Sequence, residues 1–362
     1  MLYSFIAFSK SPALSAEAQV SIFTCDRGEE LYSTFGHTAL RIQDPNNALD
    51  VVYNYGYFDF RTKNFYFKFV KGDLQYFMNV TSYDDFVFEY KLDRREVIEQ
   101  TLNLTLAKKQ ELFDALNKSL LSDEKSYTYK FIDKNCTSMV VNKINGLFGA
   151  EKIQKVDDKS ISYRTLLYPY FENYFWYKLG INIVFGAKTD QKAEKLFLPI
   201  ELLNSLDKAT INGKPFVSKK EIVVQGVTVR PEFSFFNSIY LICMILLILI
   251  IINKRILFKC YLFACGILGL FLSLVGLYSQ HEELLWNYNA LLFNPLFLLI
   301  PFVKENFLKK LNITLLVFLL IYCIIIVTKS HLIIMLPFII ANLYILMKLN
   351  GRNPLKLLST IK

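Results

Sequence analysis

The chain has 362 residues, 53% of them hydrophobic, and a formal net charge of +9. Residues 1–232 hold 30 basic against 29 acidic residues, whereas residues 233–362 hold 11 against 3. The excess positive charge therefore lies in the apolar half. The first half lacks the basic stripes of a nucleic-acid-binding domain, so no nucleic-acid partner is expected. The length allows a soluble domain followed by a membrane domain, and the composition excludes intrinsic disorder.

Residues 1–18 are predicted to be a leader or a truncated signal peptide. Met1–Phe8 is apolar, and residues 15–18 resemble the small-residue cleavage site of an export signal. The alternative is a short strand or an irregular lead-in. Residues 19–232 then form a water-soluble domain, and residues 233–362 form the membrane domain.

The soluble half shows the signals of an α+β domain. Alternating and β-branched or aromatic residues predict strands at Val20–Thr24, His37–Gln43, Val51–Tyr57, Leu74–Val80 and Phe86–Lys91. Apolar residues at helical spacing predict a helix over Leu106–Leu121. A further strand is predicted over Ser126–Asp133, and a second helix begins near Cys136.

Cys136 is the candidate nucleophile, because it falls where a strand runs into a helix N-terminus. The helix dipole and the free backbone N–H groups there lower a thiol pKa and can hold an oxyanion. Asn135 is a candidate helper in binding that oxyanion. The alternative for Cys136 is a small residue packed under the helix.

His37 is the single histidine of the soluble half, and it is the candidate general base. The turn at residues 44–47 closes a hairpin that places His37 near residue 55, beside Asn54. Asn54 can then fix the imidazole tautomer, as in a Cys–His–Asn arrangement, and Asp50 is the rival for that role. Arg41 shares the face of His37, where it binds a lipid phosphate or forms a salt bridge.

The cysteine spacing predicts neither a disulfide framework nor a metal site. The sequence has no CxxC motif and no Cys/His cluster, and we expect no cofactor. Cys25 precedes a loop, and nothing near it in the sequence would activate it. The other cysteines lie in apolar runs: Cys243, Cys260, Cys265 and Cys323.

The membrane half is predicted to be an all-α bundle of five transmembrane helices. The candidate spans are 236–252, 260–278, 284–303, 312–328 and 331–347. If they thread alternately, ten basic residues fall on one side, and Lys329, Glu282 and Glu283 fall on the other. Because basic loops face the cytoplasm, the soluble domain is expected in the periplasm of a bacterial cell.

The third predicted span is unusually polar. Asn287, Asn289 and Asn294 fall within membrane depth, and His281 precedes them. Such residues favour either a lipid-headgroup pocket with His281 at its mouth or hydrogen bonds that hold helices together.

Several of these segments together resemble a known family. They are residues 24–42 around Cys25 and His37, residues 50–60, Asp133–Thr137 and the stretch from His281 to Pro295. In this order they are similar to the Bacteroidota lipoprotein N-acyltransferases. The resemblance spans roughly residues 18–300. It implies a circularly permuted papain-like periplasmic domain, in which the histidine strand precedes the cysteine helix, anchored in the inner membrane.

The resemblance implies acyl transfer through a thioester on Cys136. The donor would be a phospholipid, and the acceptor would be the N-terminal amine of a diacylglyceryl-cysteine lipoprotein. One alternative is a membrane-tethered papain-like cell-wall peptidase or amidase that uses the same two residues. Another is a lipoprotein-binding or transport accessory with an inert domain.

Overall fold

The computed structural model describes residues 11–149, 153–172, 174–227 and 232–351. The strands are β1 Gln19–Cys25, β2 His37–Asp44, β3 Leu49–Tyr57, β4 Gln75–Ser82, β5 Val97–Leu102, β6 Ser126–Thr128, β7 Thr210–Ile211, β8 Lys214–Pro215 and β9 Val217–Val224. The helices are α1 Phe65–Lys71, α2 Tyr83–Leu92, α3 Leu106–Leu121, α4 Cys136–Gly146, α5 Tyr163–Leu167, α6 Phe175–Val184, α7 Pro199–Lys208, α8 Ile239–Ile252, α9 Arg255–Tyr278, α10 Asn289–Leu292, α11 Glu305–Ile326 and α12 Leu332–Leu349.

The chain divides into two compact units. Within the described residues, the first unit comprises 11–160 and 193–227, and the second comprises 161–192 and 232–351. The sequence predicted a single boundary between residues 232 and 233. The structure differs because the segment 161–192, which contains α5 and α6, packs with the C-terminal helices.

The first unit is a mixed α/β domain around a seven-stranded antiparallel sheet, in the order β6-β4-β3-β2-β1-β5-β9. Alternate residues of β2 face opposite sides. Leu40 and Ile42 belong to the larger core with α3, α4 and α7, and Ala39 belongs to a smaller core with α2. Helices therefore cover both faces of the central strands.

Most of the predicted elements of this unit are found. The strands β1 to β4 lie where alternation indicated them, and α3 has the predicted bounds. The strand predicted over Phe86–Lys91 is wrong, because that segment belongs to α2. Its N-cap, Ser82, accepts a hydrogen bond from the Asp85 N–H. Only Ser126–Thr128 of the strand predicted over Ser126–Asp133 is extended in the sheet.

Part of the predicted leader packs on the first unit. Leu14 is buried in its larger core, and Ser15 donates a hydrogen bond to Asp44 with its hydroxyl and another with its backbone N–H. The folded domain therefore includes residues before position 19. The apolar stretch Met1–Phe8 lies outside the described residues.

The second unit contains the apolar helices. Among the described residues, α9, α11 and α12 are long and apolar enough to cross a membrane, and α8 is a shorter apolar helix of 14 residues. The predicted span 284–303 is not a continuous helix. It consists of 3-10 turns at Glu282–Leu284 and Pro295–Leu299 with the single helical turn α10 between them. The prediction of five transmembrane helices is therefore wrong at this span.

This irregular segment nevertheless runs along more than half of α9. A Cβ on Gly276 would lie 3.0 Å from Leu285, one on Gly269 would meet the Phe293 carbonyl, and one on Gly266 would meet Leu298. The ring of Phe302 then lies 6.3 Å from that of Phe263. The 13 residues from Gly276 to Phe263 correspond to about 20 Å of helix. Three glycines thus let a non-helical chain cross the bundle in close contact with α9.

The crossing places the basic loops at one end of the second unit. Arg255 at the start of α9 forms an ion pair with Glu305 at the start of α11, with N and O 2.5 Å apart. At the opposite end, the Tyr288 hydroxyl lies 3.2 Å from Nε2 of His331. The segments 253–259 and 304–310 therefore share an end, as alternate threading predicted, and Lys329 lies at the other. Three further basic residues that the sequence assigned to the first end lie outside the described residues: Arg352, Lys356 and Lys362.

Candidate functional site

Cys136 is the first residue of α4, as the sequence predicted. Asn135 is the N-cap, and its side chain accepts a hydrogen bond from the Ser138 N–H while the Ser138 hydroxyl accepts one from the Asn135 N–H. This capping box fixes where the helix begins. The thiol consequently lies at the helix N-terminus, and Cys136 is partly exposed.

The hairpin of β2 and β3 brings His37 and Asn54 together. Ala39 pairs with Asn54 across the two strands, so His37 lies diagonally across from it on the same face. The Nε2 atom of His37 is 3.2 Å from Oδ1 of Asn54. An amide oxygen only accepts, so this contact places the imidazole proton on Nε2, with Nδ1 left as the basic nitrogen.

The Cys136 thiol interacts directly with His37. Burial raises the pKa of this thiol, but the charge of His37, a hydrogen bond to its ring, the backbone N–H of Thr38 and the Thr137 hydroxyl all lower it. The effects that lower the pKa together outweigh burial, so the pKa of Cys136 lies below its ordinary value. The structure thus brings together the three residues that the sequence singled out for chemistry.

The first turn of α4 also offers an oxyanion site. Its cap uses the N–H groups of Asn135 and Ser138, and the Met139 N–H is bonded to the Asn135 carbonyl. Among the described residues, this leaves the N–H groups of Cys136 and Thr137 at the start of the helix. Both lie at the positive end of the helix dipole, where a developing negative charge is stabilised.

Asn135 does not serve the role that the sequence suggested. Its side-chain amide donates to the carbonyls of Phe131 and Phe197, with N–O distances of 2.9 and 2.8 Å. Its oxygen caps α4. Both amide protons are therefore used in holding the loop, so Asn135 positions Cys136 and has no proton left to bind an oxyanion.

Arg41 forms ion pairs, so the phosphate-binding interpretation is corrected. Its guanidinium donates to Asp50 at 2.6 and 2.7 Å and to Glu99 at 3.0 and 3.1 Å, and it stacks on the ring of Tyr83. Two carboxylates thus neutralise a buried cation. Because Asp50 is bound to Arg41, Asn54 is the residue that orients His37.

The asparagines of the predicted third span bind backbone carbonyls of the second unit. Asn287 donates to Ile183 and Val184, and Asn289 donates to Asn182 and Ile183. Asn294 caps the 3-10 turn that follows it. These bonds support the hydrogen-bonding interpretation, because they satisfy the last carbonyls of α6. His281 is the residue before the 3-10 turn at Glu282–Leu284.

A cavity of about 210 Å³ in the first unit is lined in part by residues of α4 and its approach. Lys134 and Lys143 contribute positive charge, Glu124 contributes negative charge, and Tyr55 and Tyr127 form an aromatic wall. The Tyr55 hydroxyl is buried without a hydrogen-bond partner among the described residues. The cavity therefore offers a phenol donor and cations to a polar group.

The sequence analysis missed three residues that shape the site. Thr38 and Thr137 contribute to the lowered thiol pKa, and their hydroxyls lie 3.0 Å apart. Gly56 has a φ of +102°, and a Cβ there would lie 4.0 Å from that of Cys136. The sequence did offer a signal for the two threonines, because each directly follows one of the candidate catalytic residues.

Cys136 should be alkylated by iodoacetamide well below pH 8.5, because the thiolate is the reactive form. Removing His37 by His37→Ala deletes two of the effects that lower its pKa. The labelling rate at pH 7 should then fall, because a smaller fraction of the thiol is ionised. Peptide mass spectrometry of full-length protein measures the labelling at each cysteine.

Cys25 is a built-in control for that measurement. Burial raises its pKa to about 12, against a hydrogen bond from Tyr90 that lowers it. It should remain unlabelled at pH 7 in both proteins. Equal labelling of Cys25 and Cys136 would contradict the assignment of Cys136 as the activated thiol.

Fold and site define an α/β sheet domain that presents a histidine-paired thiol at a helix N-terminus, followed by apolar helices. Residues 11–168 match the family model described as the Lnb N-terminal periplasmic domain. The matched segment includes Cys136, His37 and Asn54, and it supports a relationship of this region to the Lnb family. No curated protein and no solved structure matches the chain.

Proposed function

We propose that this protein is a lipoprotein N-acyltransferase that acts through a thioester on Cys136. The observation that carries the proposal is the placement of Cys136, with its lowered pKa, beside His37 and Asn54 in a segment similar to the Lnb periplasmic domain. The apolar helices support an integral membrane protein, which suits two lipid substrates. We place it in the inner membrane of a bacterium, with the first unit in the periplasm.

In the first half-reaction, the thiolate of Cys136 attacks the ester carbonyl of a phospholipid. The new S–C bond gives a tetrahedral oxyanion, which the N–H groups of Cys136 and Thr137 stabilise. The C–O bond then breaks, and the imidazolium of His37 protonates the departing lysophospholipid oxygen.

In the second half-reaction, the N-terminal amine of a diacylglyceryl-cysteine lipoprotein attacks the thioester. His37 takes the amine proton as the N–C bond forms, and the C–S bond breaks to restore the Cys136 thiolate. Asn54 keeps the His37 ring in one orientation throughout. No cofactor is consumed in either step, because the acyl group moves between an ester, a thioester and an amide.

The proposal is tested with full-length protein in vesicles that contain a phospholipid with an alkyne-tagged acyl chain. The wild type should acquire a tag that neutral hydroxylamine releases. Adding a diacylglyceryl lipopeptide with a free amine should move one tagged acyl chain to the peptide, seen by mass spectrometry. Cys136→Ala should lose both signals, and Cys25→Ser should keep both because that thiol is buried with a raised pKa.

Two outcomes would contradict the proposal. If Cys136→Ala transfers acyl chains at the wild-type rate, the thioester step fails. If the wild type cleaves peptidoglycan peptides and leaves the lipopeptide unchanged, a membrane-tethered peptidase or amidase replaces the acyltransferase. A lipopeptide with a blocked N-terminus is the substrate control, because it has no amine to attack the thioester.

A further inference from the structure

The segment from Phe58 to Lys71 exposes an unusual number of aromatic side chains. Six of its 14 residues are aromatic, four are basic, and Asp59 is the one acidic residue. Phe60 is 62% exposed, Tyr66 77% and Phe67 71%, and nearby Tyr32 is 66% exposed. We call these four residues the aromatic surface. A soluble domain rarely leaves so many large aromatic side chains together in water.

The segment is anchored to the first unit, so its exposure is not that of a loose tail. The ring of Phe58 lies 5.2 Å from Tyr76, 4.9 Å from Phe60 and 5.8 Å from Phe65. Phe58 packs against the larger core, and Tyr76 is buried in it. These contacts fix α1 on the domain while it presents Tyr66 and Phe67 outwards.

Two chain segments connect the aromatic surface to the surroundings of Cys136. Gly56, whose Cβ would lie 4.0 Å from that of Cys136, precedes Phe58 by two residues. On the other side, the ring of Tyr32 lies 6.3 Å from Phe58, and the loop that holds Tyr32 leads into His37. Both segments that frame the thiol therefore continue into exposed aromatic residues.

We propose that the aromatic surface inserts into the headgroup region of a phospholipid bilayer and brings Cys136 to the acyl esters of the donor. Aromatic rings with interleaved cations are the chemistry of a membrane-interface segment. Lys63 and Lys68 supply the cations, whereas Arg61 is paired with Asp59. The same chain carries three helices long and apolar enough to cross a bilayer. A phospholipid bilayer is therefore the partner that we favour for this surface. The proposal rests on the proposed function only for the identity of the ester.

The test places a benzophenone amino acid at Phe60 or Tyr66 of the full chain in nanodiscs of phosphatidylethanolamine and phosphatidylglycerol. Phe88 is the matched control, because it is also 62% exposed but lies on α2, which covers the other face of the sheet. After irradiation, mass spectrometry should find phospholipid adducts at positions 60 and 66 at least about 10-fold above position 88. Equal yields at the three positions, or crosslinks from 60 and 66 to a second copy, would overturn the proposal.

A second measurement separates this surface from the chemistry. The double variant Phe60→Ser and Tyr66→Ser should lower acyl transfer from a bilayer donor about 10-fold, corresponding to about 1.4 kcal/mol of lost interface binding. Transfer from a water-soluble short-chain phospholipid should be unchanged, and so should bilayer transfer by Phe88→Ser. The crosslinks do not require activity, so they should persist in Cys136→Ala. If the wild type crosslinks to lipid but transfers no acyl chain, the proposed function is contradicted. The proposal that the aromatic surface contacts the bilayer is then still supported.

Discussion

Replacing His37 by alanine is expected to lower the rate of acyl-enzyme formation by about 10³-fold or more. A positioned general acid or base contributes about 10²–10⁴-fold, and His37 also lowers the pKa of the nucleophile. Cys136→Ala should abolish transfer, because alanine has no sulfur with which to form the thioester. Single-turnover measurement of tagged acyl incorporation gives both rates.

Asn54 provides a graded comparison within the same experiment. Asn54→Ala removes the contact to Nε2 but leaves the imidazole and the thiol, so the expected loss is smaller, about 10- to 100-fold. Asp50→Asn should have little effect on the rate, because Asp50 binds Arg41 and not His37. A larger loss from Asp50→Asn than from Asn54→Ala would reverse our assignment of the orienting residue.

The central part of the site could be predicted from sequence because its determinants are local. The turn after β2 fixes the hairpin register, and the register alone puts His37 near Asn54. The Asn135 cap likewise fixes the start of α4 and the position of Cys136. The meeting of His37 with Cys136 was predicted from chemistry, since no local pattern joins residues 99 positions apart.

The surroundings of Arg41 could not be predicted in this way. Its second partner, Glu99, lies on β5, which is separated from β2 in the sheet by β1. The ring of Tyr83, from α2, packs on the Arg41 guanidinium. The aromatic composition of α2 had led to the wrong prediction of a strand there. The helix signal was Ser82 followed by Asp84 and Asp85, which cap and stabilise the first turn.

The polar third span shows the limit of hydropathy. Hydropathy and length predicted a continuous helix over residues 284–303, but the backbone there is irregular. Non-helical backbone at membrane depth is tolerated where protein surrounds it. Three glycines of α9 and donors such as Asn342, which binds the Leu292 carbonyl, provide those surroundings. Such partners come from distant helices, so no single segment reveals them.

Arg164→Met is expected to lower the free energy of unfolding of the second unit by about 3–5 kcal/mol, the cost of leaving a buried charge without its partner. Arg164 is fully buried and binds Asp190 through two nitrogens, at 2.7 and 3.2 Å. It also donates to the carbonyls of Ile181 and Phe185 near the end of α6. The variant therefore leaves the Asp190 carboxylate and several backbone carbonyls without their hydrogen-bond donor.

The loss should depend on pH. Burial raises the pKa of Asp190, but the hydrogen bonds and charge of Arg164 outweigh it and hold this pKa below its ordinary value. A depressed carboxyl pKa stabilises the fold above about pH 4 and loses that contribution as the pH falls through the folded value. In Arg164→Met the contribution is already absent. The difference between the two proteins should therefore shrink in acid.

Tryptophan fluorescence isolates this effect, because the only two tryptophans of the chain, Trp176 and Trp286, both belong to the second unit. Denaturant unfolding of full-length protein in detergent, followed by this signal, gives the change. Arg255→Met is the matched control, since its ion pair with Glu305 is half exposed and should contribute less than about 1 kcal/mol. If the two variants lose equal stability, Arg164 does not hold the end of α6 to Asp190 in the way these contacts indicate.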